Sequence, residues 1–308
     1  MAVTEERYKG CLLGLACGDA VGTTVEFKPR GTFPPVTDMV GGGPFGLAPG
    51  EWTDDTSMAL CLAVSLLESG GFDPDDQMSR YVRWWTEGYL SSTGTCFDIG
   101  NTVAGALHRY RRNGEPTSGS TDPYTAGNGS IMRLAPVAMF YAEDLERAAR
   151  YAAASSRTTH GTREAVDACR LFAVMTALAL RGEEKETILL EARSRERGLN
   201  RRLAPSIEAI AQGRYREKAR GEIRGSGYVV ESLEAALWCF WHTDGYRDAV
   251  LRATNLGDDA DTTAAVCGQI AGAYYGLAGI PGPWLEKVAM QTFIEETAVA
   301  LYAQRERA

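Results

Sequence analysis

The chain has 308 residues, of which 44% are apolar, 23% charged and 9% aromatic. This balance is typical of a globular protein and excludes a disordered or fibrous chain, and at this length about three quarters of the unfolded surface can be buried. The formal net charge is −8, which argues against nucleic-acid binding through a broad basic face.

The sequence predicts a cytoplasmic protein without a membrane span. Residues 1–9 are charged and lack the apolar stretch of a signal peptide. The longest apolar run, residues 171–180, has about half of the roughly 20 residues that a bilayer requires. Seven scattered cysteines without zinc-ribbon spacing are typical of buried thiols in a reducing compartment.

Helical periodicity dominates the chain, and strand-like alternation is nearly absent. The predicted helices, in chain order, cover about residues 5–24, 58–69, 75–87, 100–112, 145–154, 163–181, 229–241, 246–254, 262–275 and 283–303. Long loops are predicted at 32–50 and 113–129, and a basic, polar interruption at 193–224. Loops of this length are often functional. We therefore predict an all-α fold in a single domain, residues 1–308.

A first acidic cluster lies directly before the second predicted helix, where residues 51–56 read Glu-Trp-Thr-Asp-Asp-Thr. Threonine and aspartate are favoured helix caps, and acids suit the positive end of the helix dipole. Taken alone, this cluster is therefore explained best as a helix cap.

A second acidic cluster, residues 257–263 (Gly-Asp-Asp-Ala-Asp-Thr-Thr), precedes another helix. Three carboxylates are more than a cap uses. If the fold joins the two clusters, the like charges require a cation. Ligands that are all oxygen, with no histidine or cysteine nearby, suit Mg²⁺ or Mn²⁺. Two such ions form a binuclear centre, most commonly used for hydrolysis.

The two clusters together resemble the metal-binding signatures of the ADP-ribosylglycohydrolases, nearest to the bacterial branch that acts on dinitrogenase reductase. The resemblance covers almost the whole chain and rests on several motifs in matching order, which is far more specific than one signature. The motifs are residues 10–20, 25–27, 53–56, 97–102, 127–133, 159–160, 227–229 and 259–262, and the match ends near Trp284.

This resemblance implies an orthogonal multi-helix bundle with two divalent metal ions, Mg²⁺ or Mn²⁺, at the floor of a central cleft. The implied metal ligands are Thr53, Asp54, Asp55, Asp259, Asp261 and Thr262. Family members usually have glycine where this chain has Asp258. That residue is therefore an additional acid outside the ligand pattern.

Two further carboxylates have catalytic roles by resemblance. Asp98 is implied in acid/base catalysis, and Glu26 in contact with the metal or its water, with a gating role. Cleavage of a glycosidic bond needs both protonation of the leaving group and activation of water. On sequence alone, Asp98 is as easily the cap of the helix that begins near residue 100, and Glu26 a solvated acid beside Lys28 and Arg30.

Substrate contacts are implied at the glycine loop, at a histidine and at a tyrosine. The loop residues Gly127, Asn128, Gly129 and Ser130 precede an apolar helical segment, where close backbone N–H groups can hold a pyrophosphate. By resemblance, His160 contacts the distal ribose or a phosphate, and Tyr228 stacks on adenine. The alternatives are an ordinary turn for the loop, a surface or core position for His160, and core packing for Tyr228.

The sequence thus predicts a hydrolase that removes ADP-ribose from a modified acceptor, with arginine in a protein as the first choice. The alternatives are a serine-linked, O-acetyl or nucleic-acid-linked conjugate, or a non-catalytic binder on the same scaffold. A binder has little reason to keep so much clustered charge. The expected partner is an ADP-ribosylated protein or a small ADP-ribose conjugate, and we expect a monomer.

Overall fold

The computed structural model describes residues 3–195 and 202–305. Within these residues the chain forms fourteen α-helices and no sheet, which confirms the predicted all-α bundle. The division into one domain stays a prediction. The helices are α1 (Glu5–Gly22), α2 (Asp54–Ser69), α3 (Pro74–Glu87), α4 (Asn101–Asn113), α5 (Ala135–Phe140), α6 (Leu145–Thr159), α7 (Arg163–Leu180), α8 (Ala192–Arg195), α9 (Pro205–Ala211), α10 (Val229–Trp241), α11 (Tyr246–Thr254), α12 (Ala260–Tyr275), α13 (Gly282–Lys287) and α14 (Gln291–Gln304).

Helices α1 and α12 form the centre of the bundle and pack backbone against backbone. Four glycines spaced four residues apart line the face of α1 that meets α12: Gly10, Gly14, Gly18 and Gly22. An added Cβ at Gly18 would stand 2.3 Å from the carbonyl oxygen of Ala264, and one at Gly10 would stand 2.4 Å from that of Gly272. The order of these contacts makes the helices antiparallel. The last turn of α1 therefore meets the first turn of α12.

Local chemistry sets most helix boundaries. The Asp73 side chain accepts hydrogen bonds from two backbone N–H groups at the start of α3, and Gly88 ends that helix in the left-handed conformation. Gly70 and Gly114 end α2 and α4 in the same conformation. Glycine has no Cβ to oppose a positive φ, so it is the preferred residue there.

The structure corrects two of the expected boundaries. The helix predicted over 283–303 is split into α13 and α14, because Met290 has a φ of 55° between them. The basic interruption at 193–224 contains α9 and two short 3₁₀ turns, Arg214–Glu217 and Arg220–Glu222. Part of that interruption, residues 196–201, lies outside the described residues.

The structure also bears on the predictions about cysteines and membranes. All seven cysteines are free thiols, and six of them are buried. Across residues 3–195 and 202–305, no helix combines the length and the apolarity that a membrane span requires.

Candidate active site

The two acidic clusters meet where the first turns of α2 and α12 abut. The Thr53 hydroxyl lies 3.4 Å from Asp261 Oδ2, and the Thr262 hydroxyl lies 3.3 Å from Asp55 Oδ1. Each cluster therefore faces the other across about 207 positions of sequence. Two helix N-termini directed at one point also provide positive potential, which favours carboxylates there.

A buried aspartate on α1, which the sequence analysis did not single out, holds the first cluster in place. Asp19 Oδ1 accepts from the backbone N–H and the hydroxyl of Thr53, both at 2.9 Å. Its Oδ2 accepts from the N–H of Thr56 at 3.0 Å and from its hydroxyl at 2.6 Å. Asp19 thus caps α2 from a neighbouring helix. The four-residue glycine spacing was the available signal, because it places residue 19 beside a close helix contact.

The helix-cap explanation of the acids does not hold in the structure. The N-cap residues of α2, α4 and α12 are Thr53, Gly100 and Asp259. Within the described residues, none of the three caps its own helix with a side-chain hydrogen bond. Asp98 lies two residues before the α4 cap with a φ of 58°. The carboxylates of Asp98 and Asp259 therefore do not cap a helix, and both line the cleft.

The acidic cluster has the properties of a cation site. Among the described residues, Asp55 Oδ2 and Asp261 Oδ1 are buried without a hydrogen-bond partner. Glu26, Asp98 and Asp261 each place one oxygen within 4.8 Å of the other two. A buried carboxylate oxygen without a donor is costly. A divalent cation that prefers oxygen ligands would remove that cost, so the donor set fits such an ion.

Burial and mutual repulsion raise the pKa values of the acids in this cluster. Burial, followed by repulsion from neighbouring acids, raises the pKa values of Asp54 and Asp261 well above the usual range. The same two causes raise the pKa of Asp98 to about 7 and that of Glu26 to about 9. Acids whose pKa values are raised in this way by burial and by neighbouring acids in a cleft are typical of functional sites.

Glu26 is a buried acid and not a solvated one. Its side chain is only 3% exposed, and the Thr23 hydroxyl donates to Oε2 at 3.4 Å. Arg30, which was expected beside it in solvent, instead donates to the backbone carbonyls of Leu256 and Arg220. Glu26 therefore faces the acidic cluster.

Asp258 stays outside the cluster, as the family pattern implied. It is exposed and has a φ of 58°. Its carbonyl oxygen accepts from the backbone N–H of Phe27 at 2.7 Å, and its own N–H donates to the backbone carbonyl oxygen of Lys28 at 2.9 Å. Left-handed backbone favours glycine and tolerates aspartate better than most residues. The conformation is therefore compatible with the aspartate of this chain.

A cleft of about 360 Å³ opens above the cluster and brings most predicted site residues together. Its lining includes Glu26, Asp54, Asp98, Gly127, Asn128, Gly129, His160, Asp259, Asp261 and Thr262. Thr53 and Asp55 are buried next to this lining. Asn128 Nδ2 donates to Asp259 Oδ2 at 2.8 Å and to the Ser232 hydroxyl at 3.2 Å. Asn128 therefore joins the glycine loop to the second acidic cluster.

The glycine loop lies directly over His160. An added Cβ at Gly129 would stand 2.8 Å from His160 Cε1, and one at Gly127 would stand 3.4 Å from Nε2. Burial, followed by repulsion from Arg133, lowers the pKa of His160 to about 3, so the ring is neutral. Arg133 donates to the Thr159 hydroxyl at 2.8 Å, and that hydroxyl lies 2.9 Å from Nδ1. Because Arg133 already donates to this hydroxyl, we assign the hydroxyl proton to the bond with Nδ1, and that assignment puts the ring proton on Nε2, toward the cleft.

Two of the predicted substrate residues occupy other surroundings. Ser130 lies beneath the loop, where its hydroxyl accepts from the Ser156 hydroxyl at 3.0 Å and the Cys169 thiol at 3.3 Å. Ser130 is not one of the described residues that line the cleft. Tyr228 lies in a neighbouring hollow of about 400 Å³, which shares Gly127 and Gly227 with the cleft. Its hydroxyl donates to Glu164 at 2.7 Å.

Comparison with known proteins shows the family of this chain. The family model described as ADP-ribosylglycohydrolase matches residues 1–308. The chain is 50% identical over 297 residues to the ADP-ribosylarginine hydrolase Tri1 of Pseudomonas putida, covering 96% of this chain and 78% of that protein. It is 33% identical to the ADP-ribosyl-[dinitrogen reductase] glycohydrolase of Rhodospirillum rubrum, covering 93% and 92% of the two chains.

A solved structure gives the same assignment. The ADP-ribosylglycohydrolase-related protein complex contains a chain that is 44% identical, with a TM-score of 0.84 and 98% of both chains covered. The predicted resemblance and the prediction of a glycohydrolase enzyme are therefore confirmed. With its paired acidic clusters, its cleft and its matching fold, the chain belongs to the ADP-ribosylglycohydrolase family.

Proposed function

We propose that this protein hydrolyses the N-glycosidic bond between ADP-ribose and an arginine side chain of a modified protein, with two divalent ions, Mg²⁺ or Mn²⁺. The observation that carries the proposal is the pair of buried, unpartnered oxygens, Asp55 Oδ2 and Asp261 Oδ1, where the two acidic clusters meet. A relative with 50% identity that is named an ADP-ribosylarginine hydrolase supports arginine as the acceptor.

The residues proposed to hold the ions are Thr53, Asp54, Asp55, Asp259, Asp261 and Thr262. When bound, the ions would supply Lewis-acid stabilisation and fix the hydroxyls of the reacting ribose. The chain supplies the rigid frame, because Asp19 holds the Thr53 turn and Asn128 holds Asp259. Such positioning is a large part of the rate enhancement in many enzymes.

Asp98 is the proposed acid/base residue. Its carboxyl lines the cleft beside Glu26 and Asp261, within reach of a group bound there, as proton transfer requires. Its carboxyl can therefore give a proton to the leaving nitrogen or take one from the attacking water. Glu26, which shares the same small space, is proposed to orient the water and the ions. The gating role of Glu26 stays a prediction.

The remaining cleft residues are proposed to bind the ADP part. Gly127 and Gly129 allow backbone N–H groups to approach the pyrophosphate closely. The neutral His160 offers Nε2–H as a donor to a phosphate or ribose oxygen. Tyr228, in the adjoining hollow, is proposed to stack on adenine, with Glu164 holding its ring through the 2.7 Å hydrogen bond. Ser130 supports the loop from beneath and is not proposed to touch substrate.

A panel of ADP-ribose conjugates tests the proposal. Arginine-, serine- and nucleic-acid-linked conjugates and O-acetyl-ADP-ribose are incubated with the protein after chelation, and then with Mg²⁺ or Mn²⁺ restored. We expect release of ADP-ribose from the arginine conjugate only when a divalent ion is present. Preference for another conjugate would change the acceptor, and activity that survives exhaustive chelation would overturn the metal-dependent mechanism.

Two variants and a metal measurement sharpen the test. Asp98→Asn keeps the side-chain volume and tolerates the left-handed backbone, so we expect kcat to fall by about 100-fold or more while ADP-ribose still binds. Asp261→Ala should lose one of two ions in a metal titration and abolish turnover. The monomeric state and cytoplasmic location also stay predictions, which sedimentation and cell fractionation would test.

A further inference from the structure

Three phenylalanines, two of them exposed and Phe97 half-buried, form an aromatic cluster next to the acidic site. Phe27 is 64% exposed and Phe45 is 37% exposed, and both lie at the surface with large apolar rings. The ring centroids of Phe27 and Phe45 are 6.5 Å apart, and those of Phe45 and Phe97 are 5.2 Å apart. We name these three residues the phenylalanine rim. A clustered exposed apolar patch marks an interaction surface more often than a single exposed residue does.

Two residues of the rim are sequence neighbours of the two proposed catalytic carboxylates. Phe27 directly follows Glu26 and lines the cleft, and Phe97 directly precedes Asp98. The ADP portion of the substrate is assigned above to the glycine loop and to His160. The group that leaves when the glycosidic bond breaks must lie beside Asp98. The rim is therefore the surface that the acceptor side of the substrate meets.

The rim is also held rigidly by backbone contacts. Phe27 has a φ of 61°, which bulky residues rarely adopt, and its N–H donates to the carbonyl oxygen of Asp258 at 2.7 Å, which holds this conformation. Phe45 lies in a turn closed by two bonds between Gly42 and Leu47, at 2.7 and 2.9 Å. Gly43 in that turn packs against the Thr23 backbone, where an added Cβ would stand 2.1 Å from the carbonyl oxygen.

The chemistry of the rim matches a guanidinium group. A guanidinium is a planar cation that stacks on aromatic faces, and the carboxyl oxygens of Glu26 and Asp98, the sequence neighbours of two of the rings, can accept hydrogen bonds from its N–H groups. Arginine modified at one nitrogen keeps its positive charge and its plane. Building on the proposed function, we propose that the phenylalanine rim binds the guanidinium and flanking segment of the ADP-ribosylated arginine and so selects arginine as the acceptor.

The test compares variants of Phe45, which touches both other rings and does not line the cleft. Phe45→Ala removes the central ring, Phe45→Leu keeps an apolar side chain without a π face, and Phe45→Tyr restores the ring. Val40→Ala is the matched control, because Val40 lies in the same loop, is 57% exposed and has no ring. The readouts are kcat/KM on an ADP-ribosyl-arginine peptide, the Kd of free ADP-ribose and the melting temperature.

We expect Phe45→Ala and Phe45→Leu to lower kcat/KM on the arginine peptide by about tenfold. Phe45→Tyr and Val40→Ala should stay within about twofold of wild type, and all four should bind free ADP-ribose as wild type does. Unchanged kcat/KM in Phe45→Ala, or an equal loss of ADP-ribose binding, overturns the role of the rim. A wild-type protein that binds ADP-ribose but does not cleave the arginine conjugate overturns the proposed function itself.

Discussion

The close contact between α1 and α12 makes a quantitative prediction about Gly18. In Gly18→Ala, the new methyl carbon would stand 2.3 Å from the carbonyl oxygen of Ala264. Carbon and oxygen atoms normally approach to about 3.3 Å, so the helices must separate by about 1 Å. The obstructing atom belongs to the backbone, and no rotation of a side chain can relieve the overlap.

The expected loss of stability follows from two opposing effects. Overpacking of a dense core costs about 1–3 kcal/mol, and the upper end applies here because two helix backbones must move. Replacing a helical glycine by alanine returns about 1 kcal/mol. The free energy of unfolding should therefore fall by about 2 kcal/mol. For a chain of 308 residues, this lowers the melting temperature by about 3 °C.

Gly105→Ala on α4 is the matched control. There the nearest atom to an added Cβ is the end of the Arg109 side chain at 3.3 Å, which can move aside. The same chemical change should raise the free energy of unfolding by about 0.5–1 kcal/mol. Scanning calorimetry and urea denaturation measure both variants. If Gly18→Ala is as stable as Gly105→Ala, the proposed backbone contact does not hold the bundle together.

Three further predictions concern the site. Asp19→Asn replaces one of the two acceptor oxygens with an NH₂ group that faces other donors. The free energy of unfolding should therefore fall by about 1–3 kcal/mol, and divalent ions should bind more weakly. Asp73→Asn, at an exposed cap, is the control and should change stability little in the same urea titration. Because burial raises the pKa of Asp98 from 3.8 to about 7, the folded metal-free protein retains a proton that the unfolded chain releases. The contribution of Asp98 to stability should therefore be largest below about pH 4 and be lost as the pH rises through about 7. Added Mg²⁺ should make the free energy of unfolding depend less on pH over this range. A pH dependence that Mg²⁺ does not change would exclude an ion at these acids. Thr159→Val removes the donor to His160 Nδ1, so calorimetry should show ADP-ribose binding about tenfold weaker, whereas Thr159→Ser should restore it; equal affinities would mean that the tautomer of the ring has no part in binding.

Much of the candidate site was predictable because its signals are local. Helical periodicity depends on residues three and four apart, and it located α3, α4, α7, α10 and α11 closely. The two acidic clusters are contiguous in sequence, and the family resemblance rests on short motifs in order. These features are encoded within a few residues, so they can be read without coordinates.

Other features depended on contacts between distant segments. Met290 breaks a predicted helix although the apolar pattern of 283–303 continues through it. Ser130 belongs to a loop motif, yet its hydroxyl is directed toward Ser156 and Cys169. Phe45 gains its proposed role only because the turn that carries it packs beside Thr23. No local pattern specifies these neighbours.

The sequence by itself determined most of the helices, the acidic residue types and the family. Only the tertiary structure decided that the acids near 54 and 261 share one space and that Asp19 holds the Thr53 turn there. The physical reason is that helix formation satisfies hydrogen bonds within one segment. The position of one helix against another depends on close packing, which the glycine face of α1 allows at van der Waals distance.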